Sequence, residues 1–157
     1  MTAPDGRQPA SAPAAGRSIR RAAWCGTALF TVTAAAAVLV DPLEPVALIV
    51  DVLLFVAGFV LFVAAYAKAV SRSRTESIAV TTLYFLAGSA PPDVRRSLLG
   101  ALSAQVVVAL ATAIARPYTI LAAGTLVPLY GLGLCGLWAA RHGTFPPREE
   151  SRRGRPR

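Results

Sequence analysis

Each of the four long apolar blocks in this chain holds a polar residue well inside it: Thr31, Asp51, Gln105 and Thr125. Asp51 carries the sharpest chemistry. A carboxylate near the centre of a membrane helix costs roughly 2.5 to 3.5 kcal/mol on insertion scales, so such a group faces the bundle and takes a partner. At about 1.5 Å of rise per residue, Asp51 lies roughly 12 Å below Leu43, Gln105 roughly 15 Å below Ala115, Thr31 roughly 13 Å below Val40 and Thr125 roughly 9 Å from Thr119. The four groups therefore form one belt slightly outward of the midplane. Two readings of it stay open. In one, Asp51 hydrogen-bonds Gln105 or a threonine and fixes helix packing. In the other, Asp51 is a proton carrier, a cation ligand or the partner of a cationic substrate. Arg116, at the outer mouth of its span, would have to reach down about 10 Å to snorkel toward Asp51. Gly58 and Ala65 follow Asp51 at steps of seven and mark a helix face that admits a close neighbour.

Other reactive side chains lack company. His142 is the sole histidine and has Arg141 beside it, with no second ligand or nucleophile nearby in sequence. Cys25 and Cys135 have neither CxxC spacing nor a ligand series, which leaves them as small packing residues. No G-x-S-x-G, Walker A, H-E-x-x-H or GxGxxG pattern occurs. We expect no catalytic residues, no metal site and no cofactor.

The elements that carry these groups follow from composition. Of the 157 residues, 55% are hydrophobic and 15% charged, and the mean hydropathy is +0.55. The apolar residues fall in blocks without a polar face, which excludes an ordinary soluble core. The net charge of +8 suits nucleic acid, but the charges are punctuated by spans and no recognition motif accompanies them, so no nucleic-acid partner is expected. The blocks predict membrane spans at about 22–40, 43–67, 97–115 and 119–140. Residues 1–21 and 143–157 read as disordered basic tails around the single membrane domain 22–142. Trp24, Tyr118 and Trp138 stand near span ends, as aromatic-belt residues do. In the fourth span, Pro128 cannot donate to the Gly124 carbonyl, and a kink follows. Pro117 suits the first turn of that helix.

Residues 71–96 are harder to place. Ser73 and Glu76 fit a capping box, from which a helix would run toward Gly88, ahead of Pro91 and Pro92. Its apolar part is about 14 residues, too short to span. A re-entrant or protein-buried segment is favoured over an interfacial helix. Basic residues lie on one side of this topology: Arg7, Arg17, Arg20, Arg21, Lys68, Arg72, Arg74, Arg95, Arg96, Arg141 and five tail arginines, against Arg116 alone on the other. Such asymmetry predicts an inner-membrane protein with both termini cytoplasmic. Arg20, Arg21, Arg72, Arg74, Arg95, Arg96 and Arg141 are candidate contacts for anionic lipid or a partner.

The segment LYFLAGSAPPDVRRSLLGAL, the exit RHGTFPPR and the long basic tail resemble uncharacterised small four-span membrane proteins of actinobacteria, over most of Arg20 to Arg148. The resemblance implies the topology and transfers no functional residue. The chain thus reads as all-α, a polytopic four-helix transmembrane bundle. The expected role is non-enzymatic: an accessory or scaffold subunit in contact with membrane lipids, in a homo-oligomer or larger membrane complex, with envelope biogenesis as a setting. The alternative is a small transporter or channel component using the belt around Asp51.

Overall fold

A computed structural model of the chain describes residues 16–73 and 79–145. Helices α1 (Arg17–Leu39) and α2 (Glu44–Arg72) form one hairpin across a short 3-10 turn, Asp41–Leu43. A five-residue helix α3 (Val80–Tyr84) follows. Helix α4 (Pro92–Ala115), a 3-10 stretch Ile120–Leu126 and helix α5 (Pro128–His142) form the second hairpin. Four segments, Arg17–Leu39, Asp41–Arg72, Pro92–Ala115 and Ile120–His142, are long and apolar enough to cross a membrane. The fold is therefore an all-helical, multi-pass bundle, as the apolar blocks predict. Both the Arg17 end of α1 and the His142 end of α5 lie at the same end of it.

Each helix outruns its apolar block on the basic side. Helix α1 begins at Arg17, inside the stretch expected as a tail, α2 continues from the expected 67 to Arg72, and α4 starts at Pro92 rather than 97. The reason is that arginine and lysine are good helix formers whose heads reach water while the backbone stays helical. The remaining tail residues, 1–15 and 146–157, lie outside the described residues.

Packing departs from the pattern of a soluble core. Many buried positions are small, among them Ala23, Ala34, Ala37, Ala47, Ala65, Ala69, Ala101, Ala109, Ala139 and Ala140. Many large apolar side chains point outward, with Leu39 82% and Ile114 79% exposed. Lipid tails are as apolar as leucine, so these outer side chains lose nothing by staying out, and the helices are held by close approach instead.

The hairpins pair like with like. Trp24 Nε1 donates to Ser97 Oγ at 3.2 Å near the start of α1 and α4, and Arg116 reaches the Val38 carbonyl at 2.8 Å near their ends, so these two helices run parallel. Helices α2 and α5 are likewise parallel and closer still. A Cβ on Gly58 would stand 2.5 Å from Tyr130 N, one on Gly133 2.6 Å from the Gly58 carbonyl oxygen, and one on Gly136 3.1 Å from Ala65 Cβ. Gly58 and Ala65 do face a neighbouring helix, as their spacing indicates. Gly100 faces α1 more loosely, since a Cβ there would meet only Trp24, at 3.9 Å.

Three local expectations change. The fourth span is broken rather than kinked. Pro128 opens α5 at its first position, where a missing N–H is harmless, and the Gly124 carbonyl accepts from Val127 N at 3.1 Å in the 3-10 stretch before it. Pro117 lies in the turn ahead of that stretch, where Tyr118 takes a left-handed φ of 64°. Second, no helix runs from Ser73 to Gly88. Ser73 closes α2, its hydroxyl donating to the Val70 carbonyl at 2.7 Å, while Glu76 lies outside the described residues. Of that segment, α3 and the turn after it bury one side only: Tyr84 stacks on Phe62 with centroids 4.4 Å apart and Leu83 and Leu86 are shielded, while Val80 and Phe85 stand exposed. Gly88, at φ 77°, supplies the left-handed turn toward α4. Third, Trp138 is only 3% exposed. A Cβ on Gly16 would collide with its indole nitrogen, so the start of α1 covers the ring.

Candidate functional site

Gln105 is the polar node of the bundle. Its side chain is fully buried on α4, its Nε2 donates to Thr27 Oγ1 of α1 at 2.8 Å, and its Oε1 accepts from Gly131 N of α5 at 3.2 Å. Thr27 in turn donates to the Ala23 carbonyl at 2.9 Å. One amide thus ties three helices, and its orientation follows from its neighbours: the NH2 meets a hydroxyl oxygen and the carbonyl meets an N–H. Gly131 allows this approach, since a Cβ there would sit 2.6 Å from Gln105 Oε1.

Asp51 does not join that network. It is 3% exposed, and its Oδ1 has no hydrogen-bond partner among the described residues. The other oxygen lies beside the 3-10 stretch, where a Cβ on Gly124 would be 3.5 Å from Asp51 Oδ2 and 3.2 Å from the Phe30 ring. Phe30 belongs to one apolar cluster with Ala34, Leu54, Ala109 and Val127. The expected bond from Asp51 to Gln105 or a threonine is therefore absent, because Thr27 and Gly131 take the Gln105 amide.

The rest of the expected belt disperses. Thr31 donates back to the Thr27 carbonyl at 2.8 Å, one turn earlier in its own helix. Thr125 is exposed and bonds the Ala122 carbonyl at 2.7 Å. Gln105 is level with Thr27 and Gly131, whereas Asp51 lies beside Gly124, seven residues before Gly131, so the two do not share one layer, and the two threonines satisfy themselves locally. Thr27, which depth alone does not single out, is the hydroxyl that matters. Its signal in the sequence is its position one turn from Thr31 on the same helix face.

Arg116 does not descend to Asp51 either. It bonds Asp41 across the two turns, lies 3.8 Å from Glu44 and donates to the Val38 carbonyl. Carboxylates at its own level are nearer than one buried below, and the guanidinium stays solvated there.

At the opposite end the candidate contact arginines divide. Arg72 donates to the carbonyls of Ala140 at 3.1 Å and Gly143 at 3.4 Å and lies over the Phe145 ring at 5.2 Å. It thereby serves carbonyls that the end of α5 leaves open. Arg20 pairs with Asp93 at 3.7 Å. Arg21, Arg95, Arg96 and Arg141 are exposed and meet no carboxylate among the described residues. Arg74 lies outside the described residues. Cys25 and Cys135 are free thiols, the first exposed and the second buried. No protein-family model, curated protein or solved structure matches the chain, so the functional reading rests on this geometry alone.

Proposed function

We propose that this chain is a non-enzymatic accessory or scaffold subunit of the inner membrane, multi-pass with both termini cytoplasmic, that works within a larger complex or homo-oligomer. The observation that supports it is the division of polar groups. Gln105 is spent on holding helices together, while Arg21, Arg95, Arg96 and Arg141 stand exposed at one end. A rigid bundle with a basic cytoplasmic face suits anchoring to anionic lipid or to a partner. Affinity purification from native membranes in mild detergent tests this reading. A stable larger assembly, together with no ion flux in proteoliposomes, is the expected result, and a monomer that conducts would overturn it.

A second reading has one observation in its favour: the unpartnered Oδ1 of Asp51 beside a broken helix. Discontinuous helices with an intramembrane acid are a recurring arrangement in transporters. Flux that Asp51→Asn abolishes would establish a small transporter or channel component instead.

A further inference from the structure

Two adjoining cavities open at the basic end of the bundle. One, of about 460 Å3, is lined by Gly88, Ala90, Pro92, Arg95, Arg96 and Leu99. The other, of about 430 Å3, shares Gly88 and Ala90 and continues to Trp138 and His142 at the end of α5. Volumes of this size suit a small-molecule group. The walls have two characters: a pair of exposed guanidiniums at the first lobe, and apolar surface from Ala90, Pro92 and Leu99 directly beside them. In the second lobe His142 Nδ1 is shielded from solvent and has no hydrogen-bond partner among the described residues.

Charge decides what would fill the first lobe. The described residues at this end carry Arg17, Arg20, Arg21, Lys68, Arg72, Arg95, Arg96 and Arg141 against one acid, Asp93, which already pairs with Arg20. Arg95 and Arg96 also lie in the first turns of α4, where the helix dipole favours an anion. Leu99 marks where the apolar length of the same helix begins, so the cavity sits at the level of lipid headgroups. Guanidinium next to apolar wall at that depth matches an amphiphile better than a free ion.

We propose that the lobe formed by Arg95, Arg96 and Leu99 is a binding site for an anionic phospholipid, its phosphate on the two guanidiniums and its chains against Leu99. The site rests on the reading of the basic end as a contact surface and names what it contacts.

Lipid retention by the full-length protein, followed by native mass spectrometry with added phosphatidylglycerol or phosphatidylcholine, tests it. The wild type retains phosphatidylglycerol in preference to phosphatidylcholine, R95Q/R96Q weakens retention about tenfold or more, and R21Q/R141Q, with the same charge removed at the same end, changes it far less. R95K/R96K keeps the charge and keeps most of the binding, which separates a lost site from a lost fold. Equal losses from the two glutamine pairs would mean a diffuse basic surface and overturn the site. Displacement of phosphatidylglycerol by equimolar inorganic phosphate, or equal retention of phosphatidylcholine, would also overturn it. Co-purification of native partners by the wild type reads the scaffold role separately: an intact complex from a wild type that shows no preference for phosphatidylglycerol sinks the site and leaves that role standing.

Discussion

Gly58 of α2 and Gly133 of α5 meet backbone to backbone, with the Gly58 carbonyl oxygen only 2.6 Å from where a Gly133 Cβ would lie. Neither neighbour is the flexible end of a side chain, so nothing can move aside without moving a helix. Gly58→Val and Gly133→Val should each destabilise the bundle by about 1–3 kcal/mol or more, as overpacking does. Gly100→Ala, with its nearest neighbour at 3.9 Å, should be neutral. Unfolding in mixed micelles followed by circular dichroism measures all three, and a destabilised Gly100→Ala beside a tolerated Gly133→Val would contradict the packing.

Gln105 and Thr27 should be energetically coupled. In a cycle of Gln105→Leu, Thr27→Val and the double variant, we expect a coupling of about 0.6 kcal/mol and at most about 1.7, the range for hydrogen bonds between membrane helices. The single variant Gln105→Leu should cost more than Thr27→Val, because it also strips the acceptor from Gly131 N. A coupling of zero would mean the two side chains act independently.

Asp51 should behave differently from Gln105 in the same assay. With Oδ1 already unpartnered, Asp51→Asn removes no hydrogen bond at that atom, and stability should stay within about 1 kcal/mol of wild type. A loss well beyond that would make Asp51 a helix-packing group. An unchanged stability, combined with a phenotype in cells, would move the weight to the transport reading.

The turn between α4 and α5 supplies a topological test. Tyr118 is fully exposed, and it belongs to the end that carries Arg116 rather than the basic end. In a Tyr118→Cys variant with Cys25 and Cys135 replaced by alanine, a membrane-impermeant maleimide should label intact cells. The same reagent should reach an Arg141→Cys site only after the membrane is opened. The reverse pattern would place the termini outside.

Spans and their alternating direction were legible in the chain because they depend on block length and on which side the arginines fall, both one-dimensional properties. The polar site was legible as a set of polar residues inside apolar helices, but neither its register nor its direction was. Rise per residue puts Thr31, Asp51, Gln105 and Thr125 at one level, but how the helices slide past one another sets Gln105 against Gly131 and Asp51 beside Gly124, and the facing of each depends on rotation about its helix. The 3-10 stretch Ile120–Leu126 changes that rotation, since it turns through three residues rather than 3.6. Thr125 consequently faces outward. The partner of Gln105 stands 78 positions away on α1, and no local pattern in the sequence links them. Trp138 misleads for a related reason: its place near a span end suits an interfacial aromatic, and only the fold brings Gly16 over its ring.

Because α1 lies along α4 and α2 along α5, the contacts that make the bundle specific run between hairpins more than within them. The first hairpin to leave the ribosome therefore enters the bilayer with Gly58 and Thr27 lacking their mates and Asp51 lacking the stretch around Gly124 that lies beside it, and stays an incomplete half until the second arrives. Synthesis order thus leaves Asp51 uncovered on the Gly124 side until the second hairpin is in place. It also makes the molecule divisible: two hairpins expressed as separate chains carry complementary faces and have what they need to find each other in the membrane.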